Sequence, residues 1–201
     1  MIKYYTNREL SDKFHINLAK LKRWSREFLT PDPLGGMQSG YPRQYTTDDA
    51  FILFLSGHLV GGLNISIPFT KQIIKDLKGW FERNGFMFNP TSGSCAGHGI
   101  ENLISEQIVT IFPGKNDNAF NYLIRGVITK RPVNHHGFDV IEERYVETWI
   151  SPNNDTLEDY EMRGVKIVFI TKVLGDFVKK LDIDAGCYRA LYSNFRVRSL
   201  S

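Results

Sequence analysis

The chain has 201 residues, 42% of them hydrophobic, and a formal net charge of +3, which is enough apolar material for one large core or two smaller ones. No apolar run approaches the roughly 18 residues of a membrane span, and the first residues lack the basic, apolar and small-residue succession of a secretory signal, so a soluble, cytoplasmic protein with no membrane association is expected. Two cysteines, Cys95 and Cys187, are too few for a disulfide scaffold and suit a reducing compartment.

In chain order, TNRE at residues 6–9 is a capping-box pattern and predicts a short helix from Thr6 to about Phe14. Asn17 is the next N-cap, and Leu18, Leu21, Trp24 and Phe28 recur at helical spacing on one face. Lys20, Lys22, Arg23 and Arg26 then fall outside that face, and Pro31 with Pro33 ends the helix. Two short helices separated by His15 and Ile16 form a helix-turn-helix candidate whose second member has an apolar back and a cationic front. LGGMQSGYPRQY, residues 34–45, suits a two-stranded hairpin in the manner of a wing. Thr46 or Thr47, followed by Asp48 and Asp49, caps a third helix with Phe51, Leu53, Phe54 and Leu55; a fourth begins near Ser66, takes Pro68 in its first turn and turns Ile73, Ile74, Leu77 and Phe81 inward.

The charge agrees with this reading. Residues 1–45 carry 8 basic and 4 acidic residues, whereas the chain beyond residue 90 carries 13 and 14, so the basicity belongs to the N-terminal part and favours a polyanion such as nucleic acid.

The succession Leu21, Lys22, Arg23, Trp24, then Leu29, Thr30, Pro31, then Arg43, Gln44, Tyr45, then Thr46, Thr47, Asp48, Asp49 resembles the DNA-binding domain of MerR-type winged helix-turn-helix transcription regulators over about residues 3–84. The resemblance implies a recognition helix and wing that contact double-stranded DNA, with Lys20, Lys22, Arg23, Arg26 and Arg43 as the DNA-binding residues. Lys22 and Arg23 stand where the family usually has arginine and an aromatic residue, and Phe28 stands where a glycine commonly closes the helix. Lysine keeps the charge but lacks the bidentate fork that reads guanine, which favours phosphate contact at Lys22. The long dimerisation helix of the family is not supported, because Gly79, Gly85 and the stretch FMFNPTSGSCAGHG interrupt any heptad pattern.

Residues 89–99, NPTSGSCAGHG, read as a linker. Beyond it, LISEQIVTIF, YLIRGVITKR and VIEERYVETWI are rich in β-branched and aromatic residues and predict strands with one face partly wet. VKIVFIT is a denser apolar run that predicts a central strand, and VLGDFVKKL predicts a short amphipathic helix. The expected fold is α+β, with an all-α winged helix-turn-helix at 1–88, the linker, and a mixed α+β domain of unknown topology at 100–201 for sensing, partner binding or self-association.

No chemistry of catalysis emerges. Cys95 and His98 have a ligand spacing, but structural zinc shows two spaced pairs, and His135 and His136 read as turn residues after Asn134. Glu143 and Glu147 share a strand face beside Tyr145 without a nucleophile or a phosphate-cradling loop. No enzyme, metal or cofactor is expected. The expectation is a sequence-specific binder of double-stranded DNA acting in transcription regulation, with recombination-directionality, plasmid maintenance or an enzyme tethered to DNA as the alternatives. A homodimer through the C-terminal domain and a small-molecule or protein effector are the expected further partners.

Overall fold

A computed structural model of the chain describes residues 4–31, 43–88, 106–114, 119–152 and 164–191. The fold is α+β. Its helical part opens with strand β1 (Tyr5–Thr6), helix α1 (Asn7–Phe14) and helix α2 (Leu18–Phe28), then strand β2 (Gln44–Tyr45), helix α3 (Thr47–Gly57) and helix α4 (Ile67–Arg83). The expected capping box forms, the Thr6 hydroxyl accepting from the Glu9 amide at 3.3 Å while the Glu9 carboxylate accepts from the Thr6 amide at 2.7 Å; of the two candidate caps of the third helix Thr46 is the one used, and with Asp49 it makes a second capping box at 3.1 and 3.0 Å. Ser66 is the N-cap residue of α4, with Pro68 in the first turn and Ile73, Ile74, Leu77 and Phe81 buried. Between α3 and α4, residues His58–Gly62 make a π-helical turn that the spacing of apolar residues did not reveal.

The remaining strands are β3 (Glu106–Pro113), β4 (Phe120–His135), β5 (Phe138–Ile150) and β6 (Lys166–Phe169), followed by helix α5 (Ile170–Leu181) and short 3-10 turns at Ala185–Cys187 and Arg189–Leu191. They form an antiparallel sheet in the order β5-β4-β3-β6. The run VKIVFIT is therefore not a central strand: among the described residues β6 lies at an edge with β3 as its one neighbour, and Ile170 already begins α5. Its apolar density has two uses, since Val168 and Ile170 are buried whereas Ile167 and Phe169 face outward; a short apolar run does not by itself distinguish these cases.

Strands β4 and β5 form a long hairpin closed by His136 and Gly137, both with positive φ, which suits the right-handed twist of the flanking strands. Asn134 fixes the turn, its side-chain Oδ1 accepting from the Gly137 amide at 3.0 Å. Pairing with β3 stops at Val127, where a bulge between Val127 and Thr129 interrupts the β4–β5 ladder. Beyond it the hairpin continues as a two-stranded ribbon. Pro132 is tolerated there because, among the described residues, β4 has a neighbour on one side only.

The segments expected as separate units, 1–88 and 100–201, share one continuous cluster of buried side chains among the described residues, from Tyr5 to Leu191. Phe177 of α5 sits at its centre, with ring centroids 6.1 Å from Phe14, 5.3 Å from Phe51 and 5.8 Å from Phe54. Polar ties cross between the segments as well: the Tyr122 hydroxyl donates to Asp76 at 2.6 Å, and the Ala190 amide donates to the Gly85 carbonyl at 3.2 Å. The expected linker, 89–99, lies outside the described residues. No helix among those residues is long and apolar enough to cross a membrane.

Candidate nucleic-acid interface

Helix α1 ends at His15, whose left-handed backbone (φ 56°) lets its amide donate to the Asp12 and Ser11 carbonyls. The chain then turns within three residues. The Ile16 amide donates to the Ser11 carbonyl at 3.0 Å and the Ser11 hydroxyl donates back to the Ile16 carbonyl at 2.7 Å. Asn17 starts α2, its side-chain oxygen accepting from the Ala19 and Lys20 amides at 2.9 and 3.4 Å.

Helix α2 is held by the side chains expected to hold it. Leu21, Trp24 and Ser25 are buried, with Leu18 and Phe28 half-buried on the same side. Its approach to α3 is close, since a Cβ on Gly57 would come within 2.7 Å of the Trp24 ring; glycine there lets the indole lie against the helix backbone. The opposite side presents Ala19, Lys22, Arg23 and Arg26, all exposed. Lys22 and Arg23 stand four and three residues before Arg26, so the three are neighbours on the helix surface. Among the described residues none of the three forms an ion pair. Lys20 lies at the flank, exposed, with its ammonium 4.8 Å from the Trp24 ring centroid in a cation–π contact.

Arg43 is placed differently. It is half-buried, and its guanidinium donates to the carbonyls of Ser25, at 3.4 Å, and of Thr30 while lying 5.4 Å from the centroid of the Tyr45 ring. Carbonyls at the C-terminal end of a helix lack intrahelical donors, and a guanidinium fork satisfies them. Arg43 thus clasps the end of α2, apart from the exposed group. The adjoining β2 pairs with β1, Tyr5 opposite Tyr45 and Thr6 opposite Gln44. Apart from Arg43, Gln44 and Tyr45, the expected wing lies outside the described residues. Tyr45 is fully buried, its hydroxyl donating to Asn7 at 2.7 Å, so it serves the core and the β1–β2 junction.

Two further cations have defined places. Arg8 is exposed on α1; the apolar spacing of Leu10 and Phe14 would have put it outward. Arg189 is exposed too, but its guanidinium donates to the Arg83 carbonyl at the end of α4, a tie between distant segments with no local sequence signal.

Other polar groups inside the fold are structural. Asp48 accepts from the Phe88 amide at 2.6 Å. Its burial, opposed by that bond and reinforced by Asp49 and Glu82, holds its carboxyl above the ordinary range. Burial likewise lowers the pKa of His58, against the attraction of Asp176. The void bounded by Leu55, Leu77 and Phe81 on the helices and by Ile111 and Val168 on the sheet has a volume of ≈ 10 Å³, room for about one water molecule. Among the described residues no three His, Cys, Asp or Glu side chains are grouped to hold a metal ion.

Comparisons with protein-family models, with curated proteins and with solved structures find no match to this chain.

Proposed function

We propose that the protein binds double-stranded DNA through α2 and acts in transcription regulation, in the manner of the MerR-type winged helix-turn-helix proteins that its N-terminal sequence resembles. The observation that carries this reading is the outer face of α2, on which Lys22, Arg23 and Arg26 are exposed together without ion-pair partners among the described residues. Two short helices joined by a three-residue turn offer the second helix to a major groove, where long cationic side chains reach phosphates and base edges. Arg23 and Arg26 have the fork that reads guanine, and Lys22 supplies a phosphate contact. Arg43 acts through position, holding the end of α2 where the following loop leaves it.

The test is fluorescence anisotropy with a duplex recovered by selection from a random pool, titrated at several salt concentrations. Arg23→Ala and Arg26→Ala are each expected to weaken binding, and each lost phosphate contact lowers the slope of log affinity against log salt by about 0.9. Arg43→Ala is expected to weaken binding with a smaller change of slope. No enrichment of any duplex sequence, together with unchanged slopes in both α2 variants, removes this face from nucleic-acid binding.

A further inference from the structure

The front of α2 is not uniformly cationic. At about 100° per residue, Ala19, Arg23 and Arg26 stand in line at its centre, opposite buried Leu21, Trp24 and Ser25, and Lys22 is set toward one flank. Ala19 is exposed and belongs to the first turn. The other groups of that turn are already engaged. The Asn17 side-chain oxygen accepts from the Ala19 and Lys20 amides at 2.9 and 3.4 Å, and the Asn17 carbonyl accepts from the Leu21 amide at 2.9 Å, so these donors are spent within the helix rather than on a phosphate. Leu18 is half-buried on the core side, and the Lys20 ammonium is drawn over the Trp24 ring at 4.8 Å. What the first turn presents at its front is a methyl group.

Arg23 follows one turn later, exposed and without an ion pair among the described residues. Four helical residues advance about 6 Å, and base pairs of a duplex follow one another at about 3.4 Å. Ala19 and Arg23, on a helix lying along the major groove, are therefore spaced to meet bases about two pairs apart. Their chemistry suits different bases. The thymine C5-methyl is the apolar group that the major groove displays, and guanine O6 and N7 are two acceptors that match a guanidinium fork. A short side chain in the first turn also lets the N-terminal end of the helix, from which base edges are ordinarily reached, come close to the groove floor.

We infer that Ala19 is a specificity-determining residue, its methyl group packing on the C5-methyl of a thymine about two base pairs from the guanine that Arg23 reads. The inference rests on the DNA reading above and adds a pair of bases to it. A lysine at this position would bring a phosphate contact with no choice of sequence. Alanine forgoes that charge, which Lys22, Arg23 and Arg26 supply from the same side of the helix, and offers apolar complementarity in its place.

The test starts from duplexes selected from a random pool with the full chain. The enriched duplex is titrated by fluorescence anisotropy with its thymine intact or replaced by deoxyuridine, which removes the base methyl alone. That replacement is expected to weaken the unmodified chain about fourfold, the worth of one buried methyl-sized group, and to leave Ala19→Gly equally bound to both duplexes. Each variant is compared with itself on two duplexes, so any loss of helix stability from glycine cancels. Selection repeated with Ala19→Gln is expected to lose the thymine and keep the guanine, and with Arg23→Ala to do the reverse. An enriched duplex with no thymine about two pairs from a guanine, an equal deoxyuridine penalty in the unmodified chain and Ala19→Gly, or a guanine that survives Arg23→Ala overturns the inference and leaves DNA binding by the chain in place. Enrichment of no duplex at all overturns both.

Discussion

The helical segment and the sheet segment treat their large apolar side chains differently. Among the described residues up to Phe88, Tyr4 is the one large hydrophobic residue left exposed, whereas the segment from Glu106 to Leu191 leaves seven exposed, all on its two edge strands. Yet both contribute to one core. The helices close their apolar faces against each other, α5 and the sheet, so what they turn outward is charge, as on α2. The sheet buries Val109, Ile111, Tyr122, Ile124 and Val168 against the helices, but among the described residues the exposed apolar side chains of β5 and the outer face of β6 are left uncovered. Exposed charge without apolar surface suits a hydrated polyanion; exposed apolar surface with balanced charge suits another protein surface.

The largest expected effect lies where the segments meet. Phe177→Ala removes a fully buried ring in contact with Phe14, Phe51 and Phe54 and is expected to cost about 3–5 kcal/mol in urea unfolding. The transition should remain single, with tryptophan fluorescence and far-ultraviolet circular dichroism lost together. Loss of the sheet signal while Trp24 keeps its native emission would break the view that the segments depend on each other.

Tyr122→Phe sharpens the same point with a smaller change. It removes the hydrogen bond to Asp76, an acceptor already engaged by Gln72 at 2.7 Å, at an expected cost of about 1.5–3 kcal/mol. Burial first, then Asp76, raises the Tyr122 phenol above its ordinary pKa, and burial with Asp48 does so for Tyr188. For a group whose folded pKa lies above its unfolded value of about 10, the contribution is fully present below pH 10 and is lost as the pH rises beyond it. Stability of the unmodified chain should therefore fall above pH 10, and that of the Tyr122→Phe variant should fall less steeply, as urea midpoints at several pH values will show.

The smallest effect belongs to the outer face of α2. Arg23→Ala and Arg26→Ala should each change stability by less than about 0.5 kcal/mol, because both side chains are exposed. A larger loss in thermal unfolding would mean that α2 relies on these cations for its own fold.

Much of the helical segment was legible because its signals are local. Thr6 with Glu9, Asn17, Thr46 with Asp49, and Ser66 with Pro68 mark helix starts within a few residues, and the spacing of Leu21 and Trp24 separated the inner face of α2 from Lys22, Arg23 and Arg26. The role of Arg43 was not legible, because its partners at Ser25 and Thr30 depend on where the chain returns after the intervening loop. The same reason hid the position of β6 and the single core. Strand order and the docking of Phe177 are set by residues far apart in the chain, and no short window contains both halves of such a contact.

The bulge between Val127 and Thr129 has a consequence for the parity of β4. At the base of the hairpin, Tyr122 and Ile124 lie opposite Ile150 and Thr148; past the bulge, Arg131 and Val133 lie opposite Glu142 and Val140. All four partners are even-numbered residues of β5, so the side of the sheet that faces the core is carried by even residues of β4 at one end and odd residues at the other. The extra residue works as a half-step in a two-beat pattern. Without it, even residues of β4 would keep to that side throughout, setting Pro132 and Asn134 where Arg131 and Val133 now lie, and with the same turn β5 would change sides too, putting Ile141, Glu143 and Tyr145 in place of Val140, Glu142 and Arg144. One inserted position thus decides which residues of both strands the ribbon presents on each side.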